Sequence, residues 1–201
     1  MTCIVGLVNN GHVHLAGDSA GVADHELRTR RDPKVFHLGP FVIGFTSSFR
    51  MGQILRYNFA PEFPSVEADP GHIEPFAYMV QTFIPALRET LEQGGYRKRE
   101  NEVESGGTFL VGFHGRLFKV HSDFQVEEAL DPFNACGCGE PYAMGALAAV
   151  LAGSPTDAKT GKPLTVEDIL ITALNIAQRY SAGVRGPFTH VTTMEEQHGN
   201  P

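Results

Sequence analysis

The chain has 201 residues, 42% hydrophobic and 19% charged, which is enough apolar material for one large core over residues 1–201 and an ordinary balance for a globular domain. A net charge of −7 argues against nucleic-acid or anionic-membrane partners, and the one basic cluster, Arg28 to Lys34, is broken by Asp32 and Pro33. Three cysteines, an odd number, argue against a disulfide framework and fit a reducing compartment. No basic segment precedes the first apolar run, and the longest apolar run, AMGALAAVLAG, is too short to span a bilayer. The expectation is a soluble, cytoplasmic protein.

CIVGLV, the pair Asn10-Gly11 and HVHLAGD read as a β-hairpin with an Asn-Gly turn. The first strand is apolar on both faces, as in the centre of a covered sheet. SAGVADHELRTRRDP reads as a polar loop. KVFHLG and FVIGFT are the next strands, turning at Gly39-Pro40. SSFRMGQILRYNF reads as a short helix, and APEFPSVEADPGH as a proline-rich loop.

A stronger amphipathic helix follows, with Phe76, Met79, Val80, Phe83, Ile84, Leu87 and Leu91 at helical spacing. Pro85 is expected to kink it and Gly94-Gly95 to end it. GTFLVGF and RLFKVHSD form a second hairpin through His114-Gly115. NACGCGEPYAMGALAAVLAG reads as strand, glycine turn and small-residue helix. Thr165 and Asp168 suggest a capping box opening the last helix, whose Val166, Ile169, Leu170, Ala173, Leu174 and Ala177 share a face. PFTHVTTME is the last strand. Strands and helices come in runs, which favours α+β layering with two packed sheets and helices outside.

Four positions carry candidate chemistry. Met1 before a small residue is a substrate for aminopeptidase trimming, which would expose Thr2. A free N-terminal threonine has a hydroxyl nucleophile next to an amine whose ordinary pKa is about 7.7–8.0, close enough to neutral to act as a base. Many chains begin Met-Thr without such a role, so Thr2 alone carries little. Asp18 ends the second strand, and a tight hairpin returns it to Thr2; turn aspartates are also common. Lys34 opens the third strand in an apolar context. It reads either as a solvated edge residue or as a charge that keeps a nearby amine deprotonated.

Gly137 and Gly139 flank Cys138 in a strand-to-helix turn that exposes backbone N–H groups. The turn lacks the third glycine of a dinucleotide fingerprint, since Tyr142 stands there. Cys136 and Cys138 lack a second ligand pair, and His12 with His14 fits strand packing better than metal binding, so neither metal nor cofactor is expected. Phe45 to Ser48, entering a helix, offers main-chain N–H groups to an oxyanion.

Taken together, MTCIVGLVNNGHVHLAGDSA, KVFHL, VIGFTSS, GCGEPYAMGALAA and FTHVTTMEE resemble the proteasome β-subunit superfamily, and HslV peptidase subunits most of all. The resemblance covers most of the chain and is weakest over residues 61–105. It implies the four-layer αββα fold of N-terminal nucleophile (Ntn) hydrolases. It further implies Thr2 as nucleophile, its amine as base, and Lys34 with Asp18 lowering the amine's pKa. An N–H near Ser47 would form the oxyanion hole. Ser47, Ser48, Gly21 and Val22 would hold substrate as an added strand. The implied setting is a homo-oligomeric ring acting on peptide or unfolded protein, with an AAA+ ATPase partner by analogy. One departure stands out: the family serine of the glycine turn is Cys138 here, and a thiol is the weaker donor and acceptor. A small-amide Ntn amidase and an inactive ring subunit are the other readings.

Overall fold

The computed structural model describes residues 2–62, 74–100, 103–153, 156 and 161–193. In chain order the strands and helices are β1 (Cys3–Asn9), β2 (His12–Gly17), β3 (Ala20–Ala23), β4 (Glu26–Thr29), β5 (Val35–Leu38), β6 (Phe41–Phe45), α1 (Phe49–Tyr57), α2 (Pro75–Tyr78) and α3 (Ile84–Gln93). There follow β7 (Lys98–Glu100), β8 (Val103–Ser105), β9 (Phe109–Phe113), β10 (Arg116–Val120), β11 (Val126–Glu128), β12 (Phe133–Gly137), α4 (Glu140–Leu151), α5 (Val166–Tyr180) and β13 (Thr189–Thr192).

Two antiparallel sheets form the centre. One runs β12-β1-β2-β13 and the other β11-β10-β9-β6-β5. Strand alternation sorts their side chains into three apolar layers. Cys3, Val5 and Leu7 of β1 face α4 and α5, packing on Ala143, Leu147, Leu170 and Leu174. Ile4 points the other way, to Leu15, Val35, Val42 and Leu110 between the sheets. Phe41, Ile43 and Phe45 of β6, with Phe109, Val111 and Phe113 of β9, face Met51, Leu55, Phe83 and Leu87 of the helices on the far side. The result is the αββα order of layers expected from the sequence.

The middle layer is thin because glycines line it. A Cβ on Gly44 would lie 2.5 Å from Ile4, and one on Gly112 would lie 2.5 Å from Val13. The sheets therefore close onto each other where side chains are absent.

The last helix starts as its sequence predicts. The Thr165 hydroxyl accepts from Asp168 N–H at 3.1 Å, and the Asp168 carboxylate accepts from Thr165 N–H at 3.0 Å.

Three readings need correction, and three short strands were not read at all. The expected polar loop after Asp18 contains the β3–β4 hairpin, whose turn places Asp24 at φ +50°. All four residues of β4 are exposed, so no apolar alternation marked it. The short strands β7, β8 and β11 also went unmarked. Pro85 is accommodated by a π turn over Met79–Phe83, which widens the helix just ahead of a residue that cannot donate to the ladder. That turn rotates the apolar face, leaving Phe76 and Val80 exposed while Met79, Phe83, Leu87 and Leu91 stay buried. Most of the proline-rich loop lies outside the described residues. Among the described residues, no helix is long and apolar enough to cross a membrane.

Candidate active site

The β1–β2 register pairs Ile4 with Gly17, so the residues just beyond each, Cys3 and Asp18, meet at the same end. Asp18 N–H donates to Cys3 carbonyl at 3.3 Å, and Cys3 N–H donates to Asp18 Oδ1 at 3.0 Å. Ala20 N–H and Arg185 N–H donate to Oδ2 at 2.9 and 3.2 Å. Three main-chain donors thus hold this carboxylate in place before any charged partner is added.

Lys34 is the charged partner. It sits one residue before β5, with its Cβ 3.7 Å from the position a Gly17 Cβ would take. Its Nζ donates to Asp18 Oδ1 and to Thr2 Oγ1, both at 2.8 Å. Thr2, Asp18 and Lys34 are respectively 4%, 2% and 1% exposed, so this ion pair is essentially dry. Burial pushes the Lys34 ammonium below its ordinary pKa, while the charge and hydrogen bond of Asp18 oppose that shift. The Phe49 ring centroid lies 5.5 Å from Nζ and closes one side with an aromatic face.

The β12–α4 turn closes the other side. Cys3 pairs with Gly137, whose φ is +100°. A Cβ there would lie 2.3 Å from the Thr2 carbonyl oxygen, so only glycine lets the turn pass. Gly139 serves packing too: its Cβ would lie 2.6 Å from Cys3 Cβ, and its N–H donates to the Thr2 carbonyl at 3.3 Å. Between them Cys138, itself exposed, places Sγ 3.3 Å from Thr2 N, which donates to it. Sγ is 3.4 Å from Thr2 O and accepts from Ser181 Oγ at 3.3 Å.

Ser47 takes a left-handed conformation, φ +63°, between β6 and α1. Its hydroxyl accepts from Thr108 N–H at 3.1 Å, and nothing among the described residues accepts from its own N–H. Ser48 is committed to the helix start. Its hydroxyl caps α1 by accepting from Arg50 N–H at 3.1 Å, and its N–H donates to Thr46 carbonyl at 2.7 Å. Gly21 and Val22 lie on β3, which leaves directly from the Asp18 corner and, among the described residues, pairs only with β4. A Cβ on Gly21 would lie 2.7 Å from the Arg30 side chain, which stacks over Phe49 at 3.8 Å.

The structure therefore brings Thr2, Asp18, Lys34 and Cys138 into one hydrogen-bonded cluster. Gly137 and Gly139 form its wall. Ser48 belongs to the helix cap. Cys136 packs between the sheets while Cys138 faces Thr2, so the Cys-x-Cys pair does not converge. Sequence reasoning missed the Arg185 amide, because a backbone donor leaves no residue-type signal. It also missed Phe49, which read only as a helix residue. Ser181 was visible as a serine at the end of α5, but its contact with Cys138 needed the fold.

No family model matches the chain, and no curated protein does. Solved structures do. BPH from Thiobacillus denitrificans matches with a TM-score of 0.73 at 19% identity, covering 96% of this chain and 98% of that one. The same protein in complex with epoxomicin gives 0.72 at 19%, with the same coverage. The eukaryotic HslV from Trypanosoma brucei gives 0.63 at 16%, covering 95% and 98%, and an Anbu mutant from Hyphomicrobium gives 0.60 at 16%, covering 96% and 81%. At these identities the likeness is one of fold, and the chain has the fold of the proteasome-type N-terminal nucleophile subunits.

Proposed function

We propose that the chain is a threonine-type peptidase whose nucleophile is Thr2 after removal of Met1. One observation carries the reading: a buried Lys34 bonds at once to the Thr2 hydroxyl and to an Asp18 held by three backbone amides. An ammonium sequestered from water costs several kcal/mol unless it is fully paired, so a fold that keeps one against a hydroxyl needs a reason. Activation of that hydroxyl supplies one.

In the reaction, the freed Thr2 amine takes the proton from its own hydroxyl as Oγ1 attacks the scissile carbonyl. The Lys34 charge favours the neutral, basic form of the amine and the developing alkoxide. The Ser47 N–H stabilises the tetrahedral oxyanion. The amine then protonates the leaving nitrogen, and water releases the acyl group from Thr2. The edge of β3 that no described strand pairs, with Gly21 and Val22, takes the substrate as an added strand, so the substrate is an extended peptide or unfolded polypeptide. The working form is a cytoplasmic homo-oligomeric ring that keeps folded proteins from the nucleophile; an AAA+ ATPase partner is proposed by analogy alone.

Two measurements test the reading. Mass spectrometry of the native chain is expected to show Thr2 at the N-terminus; a functional form that keeps Met1 overturns it. Epoxomicin, the ligand of the BPH complex, is expected to add to Thr2 and to leave Thr2→Ala unlabelled. Labelled protein without peptide turnover would identify an amidase or an idle ring subunit instead.

A further inference from the structure

The sulfur of Cys138 lies 3.3 Å from the Thr2 nitrogen, within hydrogen-bond distance, and it is the exposed member of the three cysteines. Cys3 and Cys136 are fully buried, and burial pushes both thiols well up. Oxidants from solution therefore meet one thiol, and it stands beside the nitrogen assigned the role of base. Ser181, just past the end of α5, donates its Oγ–H to the same sulfur at 3.3 Å, so a hydroxyl is in place beside any group carried there.

We propose that Cys138 is an oxidative modification site at which a hydroperoxide reversibly locks the Thr2 amine as a sulfenamide. The proposal rests on Thr2 being the free N-terminus. In the first step the thiol sulfur attacks the peroxide O–O bond. Cys138 becomes a sulfenic acid, oxidised by two electrons, and the peroxide leaves as an alcohol or water. In the second step the Thr2 amine attacks that sulfur. An S–N bond forms, the S–O bond breaks, and the hydroxide leaves as water with a proton from the amine; the Ser181 hydroxyl donates to the departing oxygen. The amine is then no longer a base, so the hydroxyl loses its activator and hydrolysis stops. A small thiol reverses the lock: it attacks the sulfenamide sulfur, the amine leaves protonated, and a second thiol reduces the mixed disulfide.

A serine at this position cannot form the bond. The substitution of sulfur for oxygen in the glycine turn thus exchanges a firmer hydrogen bond for sensitivity to peroxide. The lock also spares the protein, because the sulfenamide diverts the sulfur from further, irreversible oxidation.

The experiment uses the purified, trimmed protein and hydrogen peroxide. Untreated samples first report the N-terminus and peptide turnover, so a failure of the peptidase reading is seen before peroxide is added. On treatment, turnover is expected to be lost, the intact mass to fall by that of two hydrogen atoms, and one proteolytic fragment to join Thr2 to Cys138. Dithiothreitol is expected to restore all three. Cys138→Ser and Cys138→Ala, each compared with its own untreated activity, are expected to resist the same dose. Peroxide that leaves trimmed, active protein unchanged overturns the proposal. So does inactivation with only added oxygen, or inactivation that both variants share.

Discussion

Strand β2 has a buried polar pair beyond its Gly17 end and a half-buried one toward its other end, and the two pairs handle charge in opposite ways. At the Gly17 end, Asp18 and Lys34 face each other at 2.8 Å with almost no exposure. At the other end, His14 Nδ1 and His190 Nε2 approach to 3.2 Å, with their rings nearly parallel. The first pair is dry yet charged, because three main-chain amides complete the carboxylate. Among the described residues the second has no such frame: burial is the main force on both rings, and it pushes both imidazoles below their ordinary pKa. Where the backbone supplies donors, the fold keeps a charge; where it does not, the fold keeps neutral rings.

The largest break in this comparison is Asp18→Ala. It strands the Lys34 ammonium in a dry site and leaves the amides of Cys3, Ala20 and Arg185 without their acceptor. Removing one partner of a buried pair costs about 3–5 kcal/mol, so chemical denaturation is expected to show a loss of that size together with loss of peptide hydrolysis. Asp18→Asn, which keeps an acceptor oxygen, is expected to recover part of the stability and little of the activity. Equal activity in Asn and Asp forms would mean that the charge does no catalytic work.

A second test addresses Lys34 by pH. Its ammonium sits below the ordinary lysine value of 10.5 because burial disfavours the charge. Activity that needs this charge falls as pH rises through the lowered value, so the alkaline limb of kcat/KM is expected below 10.5. Stability follows the opposite sign. Between the lowered and ordinary values the unfolded chain binds the extra proton, so this group's contribution to folding stability rises with pH there. An alkaline limb at the ordinary lysine value would separate Lys34 from the chemistry.

What the sequence could express follows the same division between side chain and backbone. The two packed sheets were legible because strands apolar on both faces, such as Phe41-Val42-Ile43 of β6, need cover on both sides. The nearness of Thr2 and Asp18 was legible because hairpin register converts sequence separation into proximity, whereas the place of Lys34 beside them came through the family resemblance. The β3–β4 hairpin was not, since both its faces see water along β4 and alternation carries no information there. The π turn was not, because Pro85 announces a disturbance without saying how the helix absorbs it. The amide of Arg185 reaches Asp18 only because the chain returns from α5, a tertiary fact with no local signature.

Cys138→Ser is a smaller change within the charged end. Oxygen makes a stronger hydrogen bond than sulfur to the Thr2 nitrogen and to Ser181. A gain of about 0.5–1 kcal/mol in orientation corresponds to roughly a two- to fivefold rise in kcat with KM unchanged. A fall in kcat would show that the site is tuned to the larger atom.

The smallest effect belongs to the histidine end. His14 is held below its ordinary value of 6.5 by burial first, then by His190 and His12, while Glu167, 3.8 Å from His190 Nδ1, favours charge on the partner ring. Because the folded values are depressed, the unfolded chain takes up protons first as pH falls below 6.5, and stability is lost from there downward. Both rings keep some contact with water, which limits the loss to at most about 1 kcal/mol. Urea denaturation of the wild type and His14→Gln at neutral and mildly acidic pH reads this directly. The variant removes one of the two titrations, so its stability is expected to depend less on pH in that window, while its peptide turnover at neutral pH stays at the wild-type level. An unchanged pH slope would mean that the two imidazoles charge as easily in the fold as outside it, and the contrast between the two ends of β2 would then rest on geometry rather than on charge.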